Sequence, residues 1–201
     1  MSQLRDQLAA VVRDCYARGW SPATGGNYSA LVTRDPLAFL LTPSGVQKGS
    51  VQAQDFLEVN AELSVLHGIG KPSAEGLLHT AIYETTSAGA VLHTHSVFNT
   101  LASVTSGDEF AISDFEMLKA LEGNTTHEAT EVIPVVANSQ DMLGLSDEIR
   151  RILQKKPNCH AFLIRGHGLY TWGNDIIQAQ RHLEALEFLF EVEVRRRALE
   201  R

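Results

Sequence analysis

Three histidines are spaced so that they could bind one metal ion. His93 and His95 stand two residues apart at the end of a predicted strand, so both side chains leave the same face of the sheet. His167 lies between two glycines, which allow the tight turn that brings an imidazole close to a neighbouring strand end. Three imidazoles leave a coordination position open for water or substrate, which favours catalysis over a structural role. Taken alone, His93 and His95 could also be two polar residues at the exposed end of a strand, without a metal.

Two carboxylates are candidates for an acid or base beside such a metal. Glu75 follows Ser73 by two residues, and Glu116 follows Asp114 by two residues, so each stands at the predicted start of a helix. The helix dipole stabilises a negative charge there, and capping alone would explain both residues. A metal that polarises a carbonyl for catalysis, however, works together with a base that removes the proton next to that carbonyl. Both carboxylates therefore remain candidates.

Three loops have the composition of an anion-binding site. The first loop contains a Gly-Gly pair directly before Asn27, and the second is a Pro-Ser-Gly turn. The third is the predicted start of a helix. Backbone N–H groups in such loops are free to bind an anion. Ordinary turn chemistry explains any one of these loops equally well. Three such loops in one chain favour a phosphate pocket, and its candidate residues are Asn27, Ser44, Gly45, Lys48 and Ser73.

Helices and strands are interleaved along the whole chain. Helical periodicity is found from Leu4 to Cys15, after Ser73, from Leu145 to Leu153 and from Ile176 onward. A further helix is predicted through Met117 to Leu121, with Ser113 or Asp114 as its cap. Predicted strands lie between these helices, and several are joined by hairpin-like turns. We therefore predict one α/β domain over residues 1–201, with a mixed or antiparallel sheet.

Composition excludes several classes of partner. The chain has 201 residues and a formal net charge of −7, which argues against binding to nucleic acid or to an anionic membrane surface. No apolar run approaches the roughly 20 residues of a membrane-spanning helix. There are only two cysteines and no recognisable signal peptide, so we expect a cytoplasmic protein.

Six segments, taken together, resemble the class II aldolase and adducin family in order and spacing. They are TGGNYS, LTPSGVQKG, PSAEGLLH, AVLHTHS, DFEMLKALEG and LIRGHGLYTWG, and they span nearly the whole chain. The resemblance implies a three-layer α/β/α fold with a central, largely antiparallel sheet. It also implies a homotetramer with sites near the subunit interfaces.

The same resemblance assigns roles to individual residues. It implies one Zn²⁺ per subunit on His93, His95 and His167. It also implies phosphate contacts around Asn27, Ser44, Gly45 and Ser73, whereas Lys48 is a candidate from the loop composition alone. The segments HTHS, EMLKALEG and RGHGLYTWG are most similar to dehydratases of the family, which implies dehydration of a small phosphorylated ketose. On this basis Glu116 is predicted to be the principal acid or base and Glu75 a secondary site residue.

Two other functions stay open. An aldolase or epimerase of the same family would act on a related sugar phosphate, but those enzymes often add a C-terminal tyrosine, and no tyrosine follows Tyr170. A noncatalytic, adducin-like module would have lost its metal ligands, whereas all three histidines are present here.

Overall fold

The computed structural model describes residues 2–200, which form a nine-stranded sheet covered by five α-helices. In chain order the elements are α1 (Ser2–Ala17), β1 (Asn27–Arg34), β2 (Leu37–Leu41), β3 (Leu57–Asn60), β4 (Val65–His67), α2 (Gly76–Thr85), β5 (Ala90–Thr94), α3 (Val97–Thr105), β6 (Glu109–Ser113), β7 (Thr130–Val136), α4 (Met142–Lys155), β8 (Ala161–Ile164), β9 (Gly168–Gly173) and α5 (Ile176–Leu199). Short 3-10 helices lie at Lys48–Ser50, Ala53–Asp55 and Glu116–Ala120.

The strand order in the sheet is β4-β3-β2-β1-β5-β9-β8-β7-β6. Among the described strands, β7 and β8 are the one parallel pair, and the other neighbours are antiparallel. The prediction of an α/β fold with a largely antiparallel sheet is therefore confirmed. No helix within residues 2–200 is long and apolar enough to cross a membrane.

Hydrophobic cores lie on both faces of this sheet. Strand alternation sends Val91 of β5 into the core beneath α2 and α4, and its neighbour Leu92 into the core beneath α1 and α5. The helices contribute buried side chains such as Ile82 of α2 and Leu186 of α5. Burying one such side chain contributes about 1.5–3 kcal/mol. The two cores give the three-layer arrangement that the family resemblance implied.

Strand β5 carries the histidines into the middle of this structure. It lies between β1 and β9, and each of its residues is buried, which explains why its sequence is apolar up to His93. In the ladders, His93 is paired with Asn27 on one side and with Tyr170 on the other. The sheet register thus brings residues from three segments that are distant in sequence next to one another on adjacent strands.

Two predicted helices begin differently in the structure. Helix α2 begins at Gly76 with Glu75 as its N-cap, whereas Ser73 accepts a hydrogen bond from the Glu75 N–H at 3.3 Å in the preceding turn. The segment Glu116–Ala120 is a single 3-10 helix, since the left-handed backbone at Asp114 (φ 67°) separates it from β6. Strands β4 and β6 and helix α3 were not predicted.

Candidate metal centre and phosphate cavity

The three histidines form one cluster. A ring nitrogen of each lies within 4.8 Å of the others, and His93 Nε2 is 2.8 Å from His95 Nε2. His167 reaches them from the turn between β8 and β9, with its ring centroid 4.6 Å from that of His95. A Cβ on Gly168 would lie 2.2 Å from the Thr94 carbonyl oxygen, so only glycine permits this approach.

The protonation of this cluster suits a metal ligand set. His93 Nδ1 lies 2.9 Å from the Leu169 carbonyl oxygen and donates its proton there, which leaves the lone pair of Nε2 facing the cluster. Burial and the neighbouring His95 lower the pKa of His93. Burial and the neighbouring His167 lower the pKa of His95 to about 4. Neutral imidazoles with converging lone pairs are the donor set that a transition metal prefers, so these residues fit a bound metal ion.

Tyr170 supports the most buried of these ligands. Its ring stacks on the ring of His93 with a centroid distance of 3.9 Å and an interplanar angle of 12°. The contact follows from the β5–β9 register, in which the two residues are direct partners. This contact was not predicted, because the pairing of β5 with β9 cannot be read from local periodicity.

Glu75 lies beside the histidine cluster. Its Oε1 is 3.2 Å from His167 Nε2, and its Oε2 is 3.8 Å from His93 Nε2. Oε2 also accepts a hydrogen bond from the side-chain amide of Asn27. Burial raises the pKa of Glu75, but the hydrogen bonds from His167 and Asn27 and the nearby histidines outweigh it and lower the pKa to about 2. Glu75 is thus an ionised carboxylate in contact with the candidate metal ligands.

Glu116 does not lie at this cluster within the described chain. Its side chain is 74% exposed and pairs with Lys119 at 2.7 Å. It lines a different groove, together with Phe115, Met117, Ala120 and Phe188. The expectation that Glu116 is the principal acid or base therefore finds no support in the geometry of one chain. The short 3-10 helix after β6 turns this carboxylate towards solvent.

One cavity of about 250 Å³ brings the phosphate candidates together with the cluster. Its lining includes Asn27, Ser44, Gly45, Lys48, Ser73, Glu75 and His95. The Gly-Gly loop passes close to the histidine strand: a Cβ on Gly26, where φ is +77°, would lie 2.5 Å from the His93 carbonyl oxygen. The loops are therefore close enough to hold one small molecule against the cluster.

Lys48 provides a buried positive charge in this cavity. Its side chain is 1% exposed, and Nζ donates to the Thr24 carbonyl at 2.8 Å and to the Val46 carbonyl at 3.2 Å. An ammonium group has three N–H donors, so one remains for a ligand. Burial lowers the pKa of Lys48 to about 8, although the charge of Glu75 partly opposes this. An anion in the cavity would restore the charged form.

Asn27 has two hydrogen-bond partners within the protein that were not predicted from the sequence. Its amide nitrogen donates to Glu75, and its Oδ1 is 2.5 Å from His79 Nε2. Both ends of the amide are thus engaged inside the protein, and one N–H remains for a ligand. His79 was not among the site residues predicted from the sequence. Its position four residues after Glu75 was the available indication that both share a helix face.

Comparison with known proteins gives the family. Residues 6–194 match the family model described as the Class II Aldolase and Adducin N-terminal domain. The chain belongs to the class II aldolase and adducin family. Two relatives within it are named methylthioribulose-1-phosphate dehydratase. The one from Pseudomonas aeruginosa is 45% identical, with 99% of this chain and 97% of the relative covered. The one from Pectobacterium atrosepticum is 46% identical, with 96% of each covered.

Solved structures of the family have the same fold. The L-fuculose-1-phosphate aldolase from Thermus thermophilus superposes with a TM-score of 0.79 at 25% identity, over 98% of this chain and 97% of that protein. The class II aldolase fold implied by the six segments is therefore confirmed. A histidine cluster that could bind a metal is present in this family member.

Proposed function

We propose that this class II aldolase family member is a lyase that dehydrates 5-methylthioribulose 1-phosphate to 5-methylthio-2,3-dioxopentyl phosphate in methionine salvage. Similarity over almost the full length to dehydratases of that name supports the choice of substrate. The observation that carries the chemistry is the position of Glu75. This carboxylate contacts His93 and His167 and lines the cavity that contains the phosphate candidates.

We further propose that the metal is one Zn²⁺ per chain and that His93, His95 and His167 hold it. The neutral nitrogens of His93 and His95 and the mutual distances within the cluster support this assignment. When bound, the ion would act as a Lewis acid that polarises the carbonyl of the ketose.

The cavity would bind the phosphate end of the substrate. The free N–H of Lys48, the side chains of Ser44 and Ser73 and the turn at Gly45 line the same space. Lys48 would give a charge-assisted hydrogen bond, and the turn would give backbone N–H groups. This end of the cavity would orient the sugar with its carbonyl towards the histidines.

Glu75 would carry the proton. As an ionised carboxylate it would remove the C3 proton of the ketose, and the electron pair left at C3 would form a double bond to C4 as the C4 hydroxyl departs. The same carboxyl group can return its proton to the departing hydroxyl, which leaves as water. The resulting enol tautomerises to the diketone.

The deciding experiment is an assay of zinc-loaded protein with methylthioribulose 1-phosphate, in parallel with fuculose 1-phosphate and ribulose 5-phosphate. We expect water loss and diketone formation from the first substrate alone. Aldol cleavage or epimerisation of the others, without diketone, would overturn the dehydratase assignment in favour of an aldolase or epimerase. The structural similarity to an L-fuculose-1-phosphate aldolase is the reason to include these substrates.

We also propose that the protein is a homotetramer in the cytoplasm. Helix α3 presents Val97, Leu101 and Val104 to solvent at helical spacing, which supports an apolar contact between subunits. The cysteines Cys15 and Cys159 are both free, as a reducing compartment requires. A native mass measurement tests the tetramer: a monomer at micromolar concentration would contradict it.

A further inference from the structure

A line of hydrogen bonds runs from Glu75 into the layer between β1 and α2. Asn27 links Glu75 to His79, whose Nδ1 is 2.6 Å from Ser29 Oγ. Ser29 Oγ is in turn 2.7 Å from the hydroxyl of Tyr83. The four residues behind Glu75 are each 3% exposed or less. These buried polar groups therefore depend on one another for their hydrogen bonds.

The elements bring these side chains together through their own periodicity. Asn27 and Ser29 are two residues apart on β1, so they point to the same face of the sheet. Glu75 and His79 are four residues apart at the start of α2, so they lie one above the other on one helix face. When α2 packs against β1, Glu75 and His79 therefore both face the side chains of β1, and Asn27 contacts both of them.

The chemistry of the groups allows one direction for each bond. Asn27 donates an N–H of its NH₂ group to the Glu75 carboxylate, so it turns its acceptor Oδ1 towards His79. His79 must then donate through Nε2–H. Its Nδ1 is left as an acceptor for the Ser29 hydroxyl, which accepts in turn from Tyr83. The amide orientation of Asn27 and the tautomer of His79 are thus linked.

The other tautomer of His79 would break this line. A proton on Nδ1 would leave a lone pair on Nε2, facing the oxygen of Asn27. Asn27 would have to turn its amide over, and its oxygen would then face the Glu75 carboxylate. Two acceptors without a proton between them repel each other. Burial keeps His79 neutral, since it lowers the pKa of this imidazole to about 3.

We infer that His79 is a positioning residue, which fixes the amide of Asn27 and through it the Glu75 carboxylate for proton transfer. This inference rests on the proposed function of Glu75. It goes beyond a role in packing because it requires one particular donor atom, Nε2–H, and not merely a side chain of the right volume.

The test compares two replacements of similar polarity. His79→Gln keeps an N–H near the position of Nε2, whereas the shorter side chain of His79→Asn reaches Ser29 but not Asn27. We expect His79→Asn to lower kcat about 10- to 100-fold, the range found for residues that orient the groups around a metal site, with little change in KM. His79→Gln should recover most of that loss. Tyr83→Phe is the matched control at the far end of the line and should leave kcat within about twofold, because Ser29 can still donate to His79.

Thermal stability and zinc content are measured for each variant. Equal losses of kcat in His79→Gln and His79→Asn, or losses that follow thermal stability alone, would overturn the inference. Should His79→Asn not fold, the tautomer of His79 in the wild-type holoenzyme decides: nitrogen-15 NMR must find the proton on Nε2, and a proton on Nδ1 would overturn the inference. A wild-type enzyme inactive on every sugar phosphate would instead contradict the proposed function.

Discussion

Asn27 on β1 lies directly opposite His93 on β5 in the antiparallel ladder. The pairing joins the Gly-Gly loop that precedes β1 to the strand that carries the candidate metal ligands. A slip of one residue in this register would turn Asn27 to the other face of the sheet and away from Glu75. The sheet register therefore sets the distance between the phosphate cavity and the histidine cluster.

Replacing Glu75 by Gln should lower kcat by about 10²- to 10⁴-fold, the range expected for loss of a general base. Zinc content should stay near that of the wild type, because the three histidines are untouched. Glu116→Gln is the matched control, since Glu116 is exposed and pairs only with Lys119 among the described residues. Near-normal turnover of Glu75→Gln, with an inactive and zinc-loaded Glu116→Gln, would restore the sequence-based assignment and require Glu116 to act from a neighbouring subunit.

Replacing His167 by Ala should remove most of the bound metal and abolish dehydration. His167 provides one of the three candidate ligands. Its side chain lies at the edge of the cluster and is 17% exposed, so the variant is expected to fold. Metal analysis after dialysis measures the effect. His127→Ala, at an exposed histidine outside the cluster, is the control and should keep full metal content. An unchanged zinc stoichiometry in His167→Ala would contradict the ligand assignment.

Replacing Lys48 by Met should raise KM about 10- to 100-fold, because a charge-assisted hydrogen bond to the phosphate contributes about 1.5–3 kcal/mol. In the wild type, KM should rise as the pH increases through about 8, where Lys48 loses its proton. The phosphate remains a dianion over this range, since its second pKa is about 6. Lys48→Met should lack this rise, whereas Lys155→Met, at an exposed lysine, should retain it. A wild-type KM that is constant from pH 7 to pH 9 would argue against a role for Lys48 in phosphate binding.

Glu187 predicts a pH dependence of stability. This carboxyl is buried beneath the histidine strand and accepts hydrogen bonds from Thr94 at 2.9 Å, Ser96 at 2.5 Å and Asn99 at 3.0 Å. Burial raises its pKa from 4.5 to about 7, despite these bonds. The folded state therefore binds the proton more tightly, so the stability that this group contributes is fully present below pH 4.5 and is lost as the pH rises through 7.

The variant Glu187→Gln removes this titration. Relative to the variant, the wild type should lose on the order of 2 kcal/mol of unfolding free energy between pH 5.5 and pH 8, at 1.36 kcal/mol per pKa unit. Urea denaturation of both proteins at the two pH values measures the difference. A wild type that gains stability relative to the variant as the pH rises would show that Glu187 is held as an anion.

Local sequence pattern was enough for several parts of this structure. Helical and strand periodicity predicted α1, α4, α5 and the strands on either side of the Gly-His-Gly turn, because periodicity reports which face of an element is buried. The spacing of His93 and His95 and the glycines around His167 were enough to group the histidines, because their placement depends on strand alternation and one tight turn. The residues predicted to bind phosphate also lie around a single cavity.

The tertiary structure alone decided which carboxylate stands beside the histidines. Glu75 and Glu116 look alike in sequence, each two residues after a potential cap, yet one lies against β1 and the other is exposed after β6. It also decided the partners of Asn27 and His79, which are 52 residues apart in the chain. Periodicity tells which side of a helix or strand faces inward, but not which distant side chain it will meet there. That depends on the order and register of strands in the sheet and on how α2 packs against it.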